Sequence, residues 1–277
     1  MKYKIIAGLF VFLFLACNTD FNTKAKDMKY QSSKKRLKSK KKGLKPKTEA
    51  NLIQKEGLNQ EESSANQKKD RDTDPKNTLL NALRNSIDKA HANNEKYEKK
   101  LKEEPKEQYG IEAFKTLGWS SSPGEKVAAD TERAKRYRKN TYSILNTIND
   151  NQLKEFSEIV MLSGQIQGIF NTIEAIEYTL SSLIVPSLYS KKGNLEKLEI
   201  SNLEKLKDSF EKVLSIKTTI SKMMHQLLLD YQNDTNHIKT DNNKLKSHAD
   251  TLYNQISEKK KKVEKLKDDI FLIINNI

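Results

Sequence analysis

Apolar residues recur every three or four positions over most of the chain after residue 75, which is the spacing of one face of an α-helix. Two long C-terminal stretches are the most regular, and only Lys217, Asn242 and Lys259 interrupt them. A period near 3.5 sustained this long predicts two long helices with knobs-into-holes packing. The first line is Leu203, Leu206, Phe210, Val213, Ile220, Met224, Leu227 and Tyr231, and the second is Ile238, Leu245, Ala249, Leu252, Ile256, Val263, Leu266, Ile270, Ile273 and Ile277.

Shorter helical patterns come before these two helices. Asp74 and Pro75 are typical of the N-cap and first residue of a helix, and Pro105 sets its end. A short helix is predicted over residues 110–117. The run 118–124 is rich in glycine, serine and proline, so it is predicted to be a loop.

The middle of the chain predicts two further helices, one from about residue 125 to 148 and one from 152 to 185. The second has a wide apolar face, typical of a central helix, and Pro186 is expected to end it. Gly164 and Gly168 lie one turn apart, and we expect them to let a neighbouring helix approach closely. The predicted fold class is therefore all-α, an elongated helical bundle of about five or six helices with long C-terminal helices.

Charge divides the chain in two. Residues 18–75 hold 16 Lys/Arg and 9 Asp/Glu, a net charge of +7, with few large apolar side chains, whereas residues 76–277 hold 33 and 28, or +5. The first part cannot bury enough surface to offset chain entropy, so we predict a disordered basic stalk before a helical domain at 76–277. Its densest part, residues 34–47, fits either a solvated spacer or a site for anionic lipids or glycosaminoglycans. Aromatic residues are absent there, which argues against nucleic acid.

The N-terminus is typical of a lipoprotein signal peptide. Lys2 and Lys4 precede an apolar run at 5–16 that is too short to cross a bilayer, and Leu-Ala-Cys then places the chain's one cysteine, Cys17, at the cleavage point. The prediction is a leader at 1–16 and a lipidated stalk at 17–75, held to a membrane by acyl chains on Cys17. The alternative is an ordinary secretory signal with an incidental cysteine.

Motifs for catalysis or metal binding are missing from the sequence. It contains no glycine-rich phosphate loop, no Cys/His ligand set and no nucleophile elbow. His237 and Asp241 lie one helical turn apart, but two ligands fall short of a metal site. We therefore expect no enzyme activity, no cofactor and no metal.

Two surfaces remain as candidate contacts. The last helix carries more apolar residues than a one-sided helix needs, so its end either enters the core or forms a homodimer. A lysine block on the same helix is either a solvated face or a patch for an acidic partner or a lysine-binding domain. The apolar candidates are Ile270, Phe271, Ile273, Ile274 and Ile277, and the basic candidates are Lys259, Lys260, Lys261, Lys262 and Lys265.

Several segments resemble a known family. The Leu-Ala-Cys site, the basic stalk and the stretches 202–211 (NLEKLKDSFE), 226–234 (QLLLDYQND) and 239–241 (KTD) are similar to the Borrelia paralogous surface lipoproteins called the antigen P35 or family 54 group. That group includes a complement regulator-acquiring protein. The similarity covers most of the chain from about residue 76.

The resemblance implies a lipoprotein anchored at the outer membrane and displayed on the surface of a spirochaete. It also implies an all-helical body, with dimerisation through the C-terminal helix in the best-known member. Members bind factor H and its relatives, terminal complement components or plasminogen. Two functions stay open, a host-binding module for immune evasion and an adhesin or surface antigen that binds cells or glycosaminoglycans.

Overall fold

The computed structural model describes residues 74–277. The predicted leader at 1–16, the lipidated Cys17 and nearly all of the stalk at 17–75 lie outside the described residues. Helices dominate the described part, so the prediction of an all-α fold is confirmed, with one short β-hairpin added. None of the helices in the described part has the length and apolar character needed to cross a membrane.

The first helix, α1 (Pro75–Lys102), begins where the sequence predicts. The Asp74 side chain accepts a hydrogen bond of 3.0 Å from the Lys76 N–H, and Pro75 lacks the N–H that would otherwise be unpaired there. The helix ends before Pro105, as expected. Its buried face consists of Leu80, Leu83, Ile87, Ala90 and Tyr97.

The predicted short helix at 110–117 is present in reduced form as α2 (Ala113–Thr116), but the predicted loop at 118–124 is wrong. Two antiparallel strands, β1 (Gly118–Trp119) and β2 (Ser122–Lys126), form a hairpin in its place. A Cβ at residue 118 would lie 2.5 Å from the carbonyl oxygen of Glu125. The missing side chain of Gly118 therefore permits the two strands to approach, which loop composition does not reveal.

The next helix, α3 (Glu132–Ile144), starts later than the predicted residue 125 because the chain is still in the hairpin there. Thr131 caps it, accepting a 3.3 Å hydrogen bond from the Ala134 N–H. The buried Arg138 holds the preceding segment in place by donating to the carbonyl oxygens of Val127 and Ala129, at 2.7 and 2.8 Å. This arginine also forms a bidentate ion pair with the Glu104 carboxylate.

The single helix predicted over 152–185 is wrong. The chain forms α4 (Leu153–Leu162) and then α5 (Ile166–Tyr178), and Gly164 lies between them with a φ of +75°. A left-handed residue stops an α-helix, and glycine adopts that conformation at little cost. The helix predicted to reach residue 148 ends earlier, at Ile144, and Asn149 then caps a 3-10 turn at Asp150–Gln152, so the predicted break at residues 149–151 is present.

The prediction that Pro186 ends the helix is also wrong. After α5 the backbone widens into a π-helical segment (Thr179–Ile184) and continues as α6 (Val185–Lys191), with Pro186 in its first turn. The Val185 N–H bonds to the carbonyl of Leu180, five residues back. A wider turn separates the proline ring from the preceding carbonyls, so the proline is accommodated.

The two long helices are confirmed as α7 (Ile200–Gln232) and α8 (Asn242–Ile274), each of 33 residues or about 50 Å. The predicted Ile238 is buried but lies in the turn before α8, which begins after its N-cap Asp241. The buried line of α7 includes Lys217, the residue that interrupts its apolar pattern. The buried side chains of α8 are Leu245, Ala249, Leu252, Ile256, Val263, Ile270 and Ile274.

One apolar core joins these helices, and α5 packs within it against α3 and α8. A Cβ on Gly168 of α5 would lie 3.0 Å from ring carbons of Tyr253 on α8. The prediction that a neighbour approaches closely is therefore confirmed for Gly168. It is wrong for Gly164, where a Cβ would meet no atom within 4 Å and the glycine serves the turn.

Candidate interaction surfaces

The apolar end of α8 is divided between core and surface. Ile270 and Ile274 are buried against the rest of the bundle. Phe271, Ile273 and Ile277 are partly buried at the edge of the core. Leu272, which points away from them, is 73 % exposed. Packing within one chain therefore accounts for part of the apolar excess, and the homodimer stays a prediction that concerns the exposed side.

A lysine from another helix caps this end of α8. The Lys191 ammonium group donates to the carbonyl oxygens of Ile274, at 2.6 Å, and Ile277, at 3.0 Å. The last carbonyls of a helix have no partner within the helix and carry partial negative charge. Lys191 therefore joins the C-terminus of the described chain to α6 and limits fraying of its last turn.

The five lysines of the basic block do not share one face of α8. Lys261 is exposed and pairs with Glu258 at 2.8 Å, while Lys259 and Lys260 are half-buried. Lys262 and Lys265 border a groove of about 430 Å³ between α7 and α8, together with Lys212 of α7 and Asp269. The predicted patch is thus reduced to a smaller basic strip on the α7 side of the helix.

A larger groove of about 700 Å³ lies where α7 turns into α8. The QLLLDYQND segment contributes Gln226 and Asp230, and the turn and α8 contribute His237 and His248. His248 Nε2 lies 3.8 Å from the Asp230 carboxylate. The segment that resembles the family 54 group therefore lines a concave surface as well as contributing to the apolar core.

The pair His237 and Asp241 does not form the beginning of a metal site. The Asp241 carboxylate caps α8 by accepting from the backbone N–H groups of Asn243, at 2.9 Å, and Lys244, at 3.3 Å. His237 instead lies 3.7 Å from Asp234. Within residues 74–277, no three His, Cys, Asp or Glu side chains converge in a way that could hold a metal ion.

Lys217 is part of a buried polar cluster that sequence patterns do not reveal. Its ammonium group donates to the Glu177 carboxylate of α5 at 2.8 Å and to the Ser143 hydroxyl of α3 at 2.6 Å. Ser143 donates to the same Glu177 oxygen at 2.7 Å. The second carboxylate oxygen, Glu177 Oε2, is buried with no hydrogen-bond partner among the described residues. The only signal in the sequence was the charged residue in an otherwise apolar heptad line.

A polar pocket of about 420 Å³, which the sequence patterns do not predict, lies between the hairpin, α3 and α5. Trp119 of β1, Arg133 and Arg136 of α3 and Tyr178 at the end of α5 contribute to its walls. Glu174 of α5 also lines it, and burial raises the pKa of this carboxyl group, against a hydrogen bond from Asn140 and nearby positive charges. In the sequence, the available indication of this pocket is a pair of arginines one turn apart that follows a tryptophan in a polar loop.

Three solved structures of Borrelia proteins share this fold. BSE31 from Borrelia spielmanii is 55% identical, with a TM-score of 0.69 over 71% of this chain and 98% of that one. The outer surface lipoprotein BBA64 from Borrelia burgdorferi is 20% identical, with a TM-score of 0.61 over 72% and 97%. BBA65, a Lyme disease associated outer surface protein of Borrelia burgdorferi, is 18% identical, with a TM-score of 0.57 over 71% and 98%.

The family relationship follows from sequence as well as from fold. No curated protein matches the chain. The model of a protein family does match, over residues 98–275, from near the end of α1 to the last turn of α8. That range includes the hairpin, the buried cluster around Lys217 and both long helices. The chain belongs to the family of Borrelia Bbcrasp-1 domain containing proteins.

Proposed function

We propose that this chain is a lipoprotein of the Borrelia outer surface that binds host proteins and thereby protects the cell from complement. Its membership of the Bbcrasp-1 domain family carries the proposal, because the match spans nearly the whole helical body. The Leu-Ala-Cys site at residues 15–17 supports a lipid anchor on Cys17. Relatives with the same fold are outer surface lipoproteins and outer surface proteins of Borrelia, which supports the location.

The proposed ligands are factor H family regulators, terminal complement components or plasminogen, the classes that the resemblance to the family 54 group implies. The basic strip on α8 supports a protein ligand with an acidic surface. Lys262 and Lys265 lie exposed beside Lys212 in a groove where a negatively charged side chain can contact several cations. Exposed charges of this kind act mainly on association rate and specificity.

Capture from human serum, followed by mass spectrometry, tests this function. The chain immobilised through its N-terminal region is expected to retain a complement or plasmin-system protein, and the variant K262Q/K265Q to retain less of it. Lys154→Gln, an exposed lysine on α4, is the matched control. Recovery of no such protein above an unrelated lipoprotein contradicts the proposal. Competition by a free lysine analogue distinguishes plasminogen capture from complement binding.

The anchor is tested separately on Cys17. The variant Cys17→Ser is expected to incorporate no labelled palmitate and to leave the membrane fraction. Protease treatment of intact cells is expected to remove the unaltered protein, because the helical body faces outward. Palmitate on the serine variant would show that Cys17 is not the attachment site, and complete protection from protease would contradict surface display.

A second candidate function is adhesion to host glycosaminoglycans, which the nine basic residues among residues 34–47 support. Binding through this segment depends on many weak charge contacts, so raising the salt concentration from low to physiological is expected to weaken it steeply. Replacing Lys40, Lys41 and Lys42 by Gln reduces the charge without touching the helical body. Heparin retention that is unchanged in this variant contradicts a role for the segment.

A further inference from the structure

Two arginines of α3 are held against aromatic rings at the polar pocket between the hairpin, α3 and α5. The Arg133 guanidinium carbon lies 4.2 Å from the centre of the Trp119 ring, and that of Arg136 lies 5.1 Å from the centre of the Tyr178 ring. Stacking fixes the plane of a guanidinium group without using its N–H donors. Most of these donors are therefore free to bind a ligand in the pocket.

Charge at the pocket favours an anion. Within residues 74–277, neither Arg133 nor Arg136 forms an ion pair with a carboxylate. Arg133 donates one side-chain hydrogen bond, of 3.2 Å, to the Ser121 hydroxyl. Lys260 of α8 adds a third positive charge close to Glu174. Among the described residues that line the pocket, Glu174 is the only one with a carboxyl group, so it offsets at most one of these positive charges.

The remaining lining favours a ligand with many hydroxyl groups. Ser120, Ser121 and Asn171 add hydroxyl and amide groups at the rim, and the Asn171 carbonyl already accepts a 2.8 Å hydrogen bond from Tyr137. A volume of about 420 Å³ exceeds that of a simple inorganic anion and lies in the range of small-molecule sites. An apolar ligand would leave these polar groups without partners.

We propose that this pocket binds an acidic sugar, a monosaccharide unit that carries a sulfate or a carboxylate group. The anionic group lies between the guanidinium groups of Arg133 and Arg136, which match a planar or tetrahedral oxyanion with paired N–H donors. Ser121, Asn171 and Glu174 contact the ring hydroxyls. This site is on the helical body, so it is separate from the basic stalk. It shares no lining residue with the groove beside Lys262 and Lys265, where the capture of serum proteins is proposed.

The chain's one tryptophan, Trp119, lies at this pocket and provides a local readout. Tryptophan emission of the full-length chain in detergent is followed during titration with a sulfated heparin disaccharide, sialyllactose and lactose. The heparin disaccharide carries both sulfate and carboxylate, so a saturable change with it alone indicates that sulfate is needed. A saturable change with sialyllactose shows that a carboxylate is sufficient, and either result supports the proposal. The proposal is overturned if neither acidic sugar gives a saturable change in emission, or if neutral lactose gives an equal change.

Two variants assign the signal to the arginines. Arg136→Gln is expected to weaken binding of the acidic sugar at least tenfold, and Arg136→Lys to weaken it less, because lysine keeps the charge but lacks the planar fork. Lys222→Gln, an exposed position on α7, is the charge-matched control and is expected to bind normally. Circular dichroism checks that each variant is folded. Normal binding by a folded Arg136→Gln variant overturns the proposal.

Discussion

Helices α8 and α3 bury side chains of different character. The buried side chains of α8 are all apolar, whereas those of α3 include Arg138, Asn140, Thr141 and Ser143. An apolar side chain is stabilised by any close-packed neighbour, since burial is non-directional. A buried polar group needs a partner at a defined distance and angle. The buried face of α8 therefore needs only close-packed neighbours, whereas that of α3 also needs hydrogen-bond partners at defined positions.

Lys217 shows how the polar region extends across three helices. It continues the buried line of α7, but its partners are Glu177 on α5 and Ser143 on α3. The three groups fix the rotation and the axial position of these helices relative to one another. Polar clusters of this kind favour one arrangement of helices over others of similar apolar burial. The apolar seam, formed by the buried side chains of α8, therefore tolerates exchange of one apolar side chain for another of similar size, whereas the loss of one member of the cluster leaves another without its partner.

The largest expected effect comes from removing one member of the cluster. Lys217→Met leaves the Glu177 carboxylate buried without its cation, so the free energy of unfolding should fall by about 3 to 5 kcal/mol in urea denaturation. The double variant K217M/E177L removes both charges and is expected to recover most of that loss. Lys222→Met, at an exposed site of the same helix, is the control. Unchanged stability of the single variant would show that the ion pair is dispensable.

A cavity in the apolar seam of α8 is expected to lower the free energy of unfolding by a similar or smaller amount. Ile256 is fully buried on α8, and Ile256→Ala should lower the free energy of unfolding by about 2 to 5 kcal/mol. Gln255→Ala, at the exposed neighbouring position, should change it by less than about 0.5 kcal/mol. Ile256→Val should lie between the two. A cost for Ile256→Val as large as for Ile256→Ala would contradict the idea that the seam adapts.

Stability at alkaline pH tests the contribution of the buried polar region. Burial, and then the Glu177 charge, raises the pKa of Tyr97 to about 12, above the unfolded value near 10. A raised pKa favours the protonated form, so this contribution to stability is complete below pH 10 and is lost as the pH rises through 12. Two pKa units correspond to about 3 kcal/mol at most. Tyr97→Phe should therefore make the stability fall less steeply between pH 10 and 12, measured by urea denaturation at each pH.

Tyr137 and Tyr142 have pKa values raised in the same direction by burial, so the Tyr97→Phe variant keeps part of the alkaline loss. Tyr253→Phe, on α8, is the matched control. Equal slopes for both variants would contradict a special role for the polar cluster at high pH.

The smallest expected change in stability is at the exposed end of the seam. Leu272→Ser should change the free energy of unfolding by less than about 0.5 kcal/mol, because this side chain is 73 % exposed. Ile274→Ser, two residues away and buried, should be strongly destabilising. If the predicted homodimer uses this surface, Leu272→Ser should also lower the mass measured by light scattering. A dimer whose mass and dissociation are unaffected would exclude Leu272 from the interface.

Sequence patterns predicted well those regions in which burial of apolar side chains alone decides the structure. The lines of α7 and α8 follow from their heptad spacing, with a shift at each end of α8. Ile238 lies before the helix, and Ile274 is buried in place of Ile273, which is only partly buried. The run 152–185 was less predictable because α4 and α5 have compatible apolar faces, and a single left-handed residue, Gly164, separates them. The π-helical widening before Pro186 likewise depends on packing that periodicity does not record.

The polar sites were harder to predict because their members lie far apart in the chain. Lys217 was visible as an interruption, but Ser143 and Glu177 lie 74 and 40 residues away in the chain. The acidic-sugar pocket joins Trp119 of the hairpin to arginines of α3 and to Glu174 of α5. The composition of each segment appears ordinary when it is taken alone.

Local patterns were sufficient to establish the helical class, the two long C-terminal helices and the family resemblance, and they predict the lipid site at Cys17. Each depends on residues that are close in sequence, since helix periodicity, caps and signal peptides act over a few turns at most. Packing decided the partner of Lys217, the division of the last turn of α8 between core and surface, and the pocket beside Trp119. These features depend on distances between side chains from different helices, which are defined only after the chain has folded.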